Sequence, residues 1–256
     1  MARLNIIIYG LTVCFLTVTT SMGNDAELLK KIVVSFDELY KSSASYALVE
    51  MEITTPHWSR TLKMKTWSLG MEKMLVKILA PKKERGVGTL KIEDEMWNYL
   101  PKTNKVIKIP PSMMMSSWMG SDFTNDDLVK EYTLTDDYDM SIFEPPEKKE
   151  DYHYVKGIPK KGKAIVWGKI EIAVRKSDLL PVWEKYYDEH GKPVREMLFS
   201  EIKTIDKRMI PTVITLIPKT KEGHKTVLRY LDIDYNIRLD SNTFSLRKLR
   251  EPVTGE

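Results

Sequence analysis

From Ser45 onward, apolar side chains recur at every second residue, and this alternation constrains the fold more than any other feature of the chain. Val49, Met51 and Ile53 alternate with Glu50, Glu52 and Thr54, and Leu62 and Met64 alternate with Lys63 and Lys65. Met74, Val76 and Ile78 share one side, with Lys73 and Lys77 on the other. Ile170, Ile172 and Val174 alternate with Lys169, Glu171 and Arg175, and residues 181–187, 194–205, 213–217 and 226–235 continue the pattern. Period two places such residues on opposite faces of a strand, so these are half-exposed antiparallel strands. Turn residues punctuate them at Pro56, Gly70, Pro81-Lys82-Lys83, Glu189-His190-Gly191-Lys192 and Lys221-Glu222-Gly223. Residues 132–143 and 151–155 read as further strands, 157–163 as a polar turn, and 240–244 as a capped turn before a short basic tail. The count is about 10–12 strands.

A sheet with one apolar face must curl around it or be covered. Little cover is on offer. Leu28, Leu29, Ile32, Val33, Phe36 and Leu39 recur at helical spacing to about Tyr40, with Asn24 or Asp25 as the N-cap. The expected fold is therefore mainly β: an unclosed antiparallel β-barrel around an apolar interior, closed in part by that helix.

The second candidate for cover lies in residues 85–130. Strand-like pieces at 87–92, 95–100 and 105–109 end at Pro110-Pro111, because proline removes ladder donors. Met113, Met114, Met115, Trp118 and Met119 follow, separated only by serines. Thr124 then caps a short helix with Asp126 and Asp127 in its first turn. Methionine adapts to partners of variable shape. The segment reads either as an adjustable apolar flap over a ligand cavity or as a buried, Met-rich helix end.

Residues 1–23 read as a secretory signal: Arg3 opens it, 6–18 is apolar, and Ser21 and Gly23 precede a cut before Asn24. An uncleaved anchor is the alternative. Residues 24–256 then form a single domain. The one cysteine, Cys14, lies in the signal, with lipidation there a weaker reading; disulfide and zinc-thiolate chemistry are excluded from the remainder. The 40 basic and 36 acidic residues, a net +4, make a mixed surface rather than a nucleic-acid footprint. His57, His153, His190 and His224 are scattered beside turns, which argues against a metal site. Asp232, Asp234 and Asn236 open like a calcium loop, but Ile237 stands where that loop needs glycine. Arg85-Gly86-Val87-Gly88 is no phosphate loop, because no helix follows. No G-x-S-x-G elbow occurs. These absences favour a binding protein over an enzyme, and no cofactor is expected.

Arg85-Gly86-x-Gly88, Trp97-x-Tyr99-x-Pro101, Met115-x-x-x-Met119-Gly120-Ser121-Asp122-Phe123-Thr124 and Asp126-Asp127 together resemble the outer-membrane lipoprotein-sorting proteins, the periplasmic LolA/LolB-like superfamily. The resemblance implies an unclosed β-barrel with a helical lid over a hydrophobic cavity for acyl chains. It implies a Gram-negative periplasm, transient membrane contact, and lipid acyl chains or an acylated lipoprotein as cargo. An inner-membrane lipid-exporting transporter is the implied protein partner. The lipid-binding residues expected on this reading are Met113, Met114, Met115, Trp118, Met119, Trp97 and Phe36. Two alternatives stand beside the carrier: an accessory binding subunit of a lipid exporter, and an envelope hydrolase.

Overall fold

The computed structural model describes residues 18–129 and 133–253. The signal-sequence expectation falls largely on residues 1–17, outside the described residues. Thirteen strands form one antiparallel sheet: β1 Ala44–Thr54, β2 Ser59–Leu69, β3 Lys73–Ala80, β4 Gly88–Ile92, β5 Glu95–Leu100, β6 Lys105–Lys108, β7 Tyr138–Ile142, β8 Tyr152–Pro159, β9 Lys169–Arg175, β10 Pro181–Tyr187, β11 Pro193–Ile205, β12 Arg208–Pro218 and β13 Lys225–Tyr235. The spatial order is β6-β5-β4-β3-β2-β1-β13-β12-β11-β10-β9-β8-β7. Two meanders thus join through a single long-range pair, β1 with β13, whose register runs from Ser45↔Tyr235 to Thr54↔Lys225. The sheet does not close, since β6 and β7 are its two edges.

That order has a topological consequence. β6 and β7 are consecutive in sequence but lie at opposite edges, so the chain between them must pass from one edge to the other. It does so over the inner face. Ile109, Trp118 and Val129 of this strap are buried with Met51, Leu62, Met64, Val76, Ile78, Met96 and Ile233 of the sheet. The strap contains the short helix α2 (Asn125–Val129) and, leading into β7, α3 (Leu134–Asp137). The reading of 132–143 as one strand is corrected here. Thr133 accepts from the backbone N–H of Asp136 and starts α3, so only Tyr138–Ile142 is extended.

The remaining inner face is covered by the N-terminal helix, α1 (Val18–Asp37). It begins before Asn24 and Asp25, which are therefore inside it rather than capping it. Ile32 and Val33 bury against Val155, Trp167, Ile170 and Ile172, with Phe36 partly buried beside them. A fully buried Ile is worth roughly 2 to 3 kcal/mol over an exposed one. The Asp37 carboxylate then accepts from the backbone N–H groups of Leu134 (2.7 Å) and Thr135 (3.1 Å), tying the helix end to the start of α3. No helix among the described residues is long and apolar enough to cross a membrane.

Two further expectations are revised. β8 continues to Pro159, because Gly157 lets Met140 and Ile170 close over it, so the polar turn is shorter than 157–163. The basic tail is a docked helix, α4 (Leu246–Arg250), capped by Ser245. Its Leu249 is fully buried on the outer face of the sheet with Leu75, Leu90, Tyr99 and Phe244. This explains the paired glycines of the 85–88 turn. Gly86 has φ +84°, and a Cβ on Gly88 would stand 2.8 Å from Leu249 Cδ1.

Candidate functional site

Strand register assembles the site. On β10, Glu184 and Tyr186 are two residues apart and so share a face. Across the hairpin to β11, Tyr186 opposes Arg195 and Glu184 opposes Met197. Phe199 follows at the same period, and its partner on β12 is Ile214. All six line one cavity of about 430 Å³ between the sheet, the N-terminal helix and the strap. Phe36, Leu39, Tyr40, Phe123, Tyr138 and Trp167 complete its largely apolar wall. Phe36 meets Phe199 edge to face, with ring centroids 6.5 Å apart.

One end of the cavity is polar. Arg195 donates through both terminal nitrogens to the two oxygens of Asp127, each at 2.7 Å. Its guanidinium lies 4.4 Å from the ring centres of both Trp167 and Tyr186. Burial pushes the Asp127 carboxyl up, but the Arg195 charge and hydrogen bonds outweigh it and hold the carboxyl below its ordinary range. Asp127 also accepts from the backbone N–H of Thr124 at 2.8 Å, while the Thr124 hydroxyl accepts from Asp127 N–H at 3.1 Å. The expected N-cap thus forms, and it aims Asp127 at β11.

Glu184 is 5% exposed and accepts from the Tyr186 hydroxyl at 2.9 Å. Burial pushes its carboxyl up to about 7, against the opposing pull of Tyr186 and Arg195. Burial also raises Tyr186, Tyr138 and Tyr40, which stay neutral near neutral pH.

Of the residues expected to bind lipid, Phe36 lines this cavity. Met114 and Met115 line a separate, broader cleft of about 710 Å³ with Pro111, Asp126, Val129, Ile165 and Val166. Met113 and Met115 are each 47% exposed, while Met114 and Met119 are partly buried on the inner core. Trp118 is a core side chain whose indole N–H donates to Thr89 Oγ1 at 3.1 Å. Trp97 lies on the outer face, packed around Tyr99 and Leu249, because it stands one residue from the inward-facing Met96. The Met-rich segment is therefore neither wholly flap nor wholly core: its methionines divide between the two, and its tryptophan is an anchor. Sequence reasoning missed Glu184, Arg195 and Tyr186. The available signal was a charged residue on each strand of the 181–199 hairpin at positions that register places on one face.

Three more contacts pin the strap. Arg60 bridges Glu84 at 3.1 Å and the carbonyl of Met119. Asp122 exchanges hydrogen bonds with Thr226, giving through its N–H at 3.0 Å and accepting at 2.8 Å. Among the described residues, no cluster of three or more His, Cys, Asp or Glu side chains is placed to hold a metal ion.

A family model described as "uncharacterized protein" matches residues 70–251. No curated protein matches the chain. Among solved structures, a DUF1329 family protein from Desulfovibrio piger is 26% identical, with a TM-score of 0.78 over 88% of this chain and 99% of that one. A domain assigned to the outer-membrane lipoprotein-sorting proteins, from Vibrio parahaemolyticus, is 22% identical, with a TM-score of 0.74 over 88% and 100%. A LolA superfamily protein from Nitrosomonas europaea is 21% identical, with a TM-score of 0.70 over 86% and 98%.

Proposed function

The chain belongs to the family whose model spans residues 70–251, a family with the LolA-like fold, and from that premise we propose that it is a periplasmic carrier of an acyl-chain amphiphile. The observation that carries this reading is the cavity that lies between the open sheet, the N-terminal helix and the strap. Its volume of about 430 Å³ lies within the roughly 300 to 1,000 Å³ of small-molecule sites. Phe36, Leu39, Phe199 and Ile214 offer a chain an apolar path. Each methylene that leaves water contributes roughly 0.8 kcal/mol, so a long chain suffices for stable binding.

Delivery requires the cavity to open. The strap is the element suited to move, because side-chain contacts and one short helix hold it rather than a sheet ladder. The exposed Met113 and Met115 at its surface suit transient contact with a membrane or a transporter. Residues 1–23 act as the export signal on this reading.

Native mass spectrometry of protein purified from periplasm should find a co-purifying amphiphile. With a neutral fluorescent monoacylglycerol, Phe36→Ala and Phe199→Ala should each weaken binding about tenfold, equivalent to about 1.4 kcal/mol of lost burial. An apo mass together with unchanged affinity in both variants would overturn the carrier reading. A stable protein partner on an apo chain would favour an accessory subunit instead.

A further inference from the structure

The charges lining the cavity are unevenly matched. Asp127 occupies both terminal nitrogens of Arg195 at 2.7 Å, and two aromatic rings cover the faces of the guanidinium. That positive charge is matched in place. Glu184 has no cation of its own. Its Oε2 accepts the Tyr186 hydroxyl, and among the described residues its Oε1 has no protein partner. The cavity it lines is rich in aromatic side chains, among them Tyr40, Tyr138, Phe36 and Phe199. A carboxyl in such a place is costly to ionise unless a cation joins it. A desolvated ammonium gains both from a carboxylate and from neighbouring ring faces.

We infer that Glu184 is the seat for the ammonium group of an amphiphile whose chain lies along Phe36, Phe199 and Ile214. This rests on the carrier reading and adds the class of headgroup. An anionic headgroup is disfavoured, because the Arg195 charge is already matched by Asp127 and an ionised Glu184 repels it. A neutral hydroxyl gains only a hydrogen bond. Binding of an ammonium fixes Glu184 as carboxylate, so below neutral pH it releases the carboxyl proton to solvent, and affinity rises as pH rises towards 8. The other groups facing Glu184 do not reverse this trend. Tyr186 on β10, Tyr138 on β7 and Tyr40 are held neutral by burial, and Arg195 keeps Asp127 ionised. Asp37, whose carboxylate accepts from the Leu134 and Thr135 N–H groups and the Thr135 hydroxyl, and Lys41 also line the cavity.

The test displaces the neutral monoacylglycerol probe from the full mature chain with dodecylammonium, dodecanol or dodecanoate. At pH 8 the protein should bind dodecylammonium about tenfold or more tighter than dodecanol, as expected for an ion pair worth more than about 1.4 kcal/mol, and dodecanoate weakest. Glu184→Gln should abolish the ammonium preference, bringing dodecylammonium and dodecanol to within about twofold of each other, since both bury the same chain. Retention of the preference in Glu184→Gln, or equal binding of ammonium and alcohol by the natural chain, overturns the headgroup assignment and leaves the carrier reading standing. Failure of every probe, the neutral one included, overturns both. Should Glu184→Gln also lose dodecanol, calorimetry of the natural chain in two buffers at pH 6 decides. Proton release with dodecylammonium but not dodecanol is expected, and equal proton counts overturn the assignment.

Discussion

Glu184 holds its proton in the folded chain up to about pH 7, whereas an exposed glutamate releases it near 4.5. Between those values the folded state binds more protons than the unfolded state, so stability falls as pH rises through this window. The shift corresponds to a loss of roughly 3 kcal/mol, complete above pH 7, since each unit is worth about 1.4 kcal/mol. Glu184→Gln cannot ionise. The stability difference between variant and natural chain should therefore grow in favour of the variant from pH 5 to pH 8. Urea midpoints measured at both values check this, and a pH-independent difference would show that Glu184 is solvated like a surface carboxylate. Tyr186 contributes at the same scale, because its hydroxyl orients the carboxyl and its ring carries Arg195.

The strap is the element that converts an open sheet into a container. Its hold on the sheet is concentrated in a few long-range bonds, chiefly Asp127 with Arg195, Trp118 with Thr89, and Asp122 with Thr226. Removing one partner of a buried ion pair leaves the other uncompensated, at a cost of about 3 kcal/mol or more. Asp127→Asn should lower stability by that order. It should also speed amide hydrogen exchange in residues 110–129 more than in β1 or β13, because the strap is released before the sheet. Uniform acceleration across the sheet would instead mark Asp127 as part of the global core. Met119, at φ +52° beside Gly120 at φ +73°, shows how sharply the strap turns between its anchors.

At the scale of the whole molecule, the sheet is covered on both sides but unequally. The inner face carries the cavity under the N-terminal helix and the strap. The outer face of β3–β5 carries α4, whose Leu249 carbonyl accepts from the Lys77 ammonium at 2.5 Å. Burial lowers Lys77 to about 8. Docking this close needs Gly88, since a Cβ there meets Leu249 Cδ1 at 2.8 Å and Lys77 Cδ at 3.1 Å. Gly88→Ala overfills the contact and should cost about 1 to 3 kcal/mol in urea unfolding. An unchanged midpoint would show that α4 sits loosely enough to shift aside.

Local pattern determined most of the sheet. Alternation set the strand faces, and turn residues set the hairpins, because eleven of its twelve strand pairings join consecutive strands. The strong helical stripe at Leu28 to Phe36 likewise announced the inner cover, since its apolar residues needed a partner face. The divided Met-rich segment shows where pattern ran out. Trp97 and Met96 are adjacent and equally apolar, yet period two sends one outward and one inward, and only the presence of α4 makes the outer site apolar. The polar end of the cavity was decided wholly by tertiary structure. Asp127 and Arg195 stand 68 residues apart, and β11 meets α2 only because the strap must cross from one sheet edge to the other. Glu184 becomes a buried carboxyl for the same reason: its strand is half-polar in sequence, and it is the strap and the N-terminal helix, folded over from elsewhere in the chain, that take its water away.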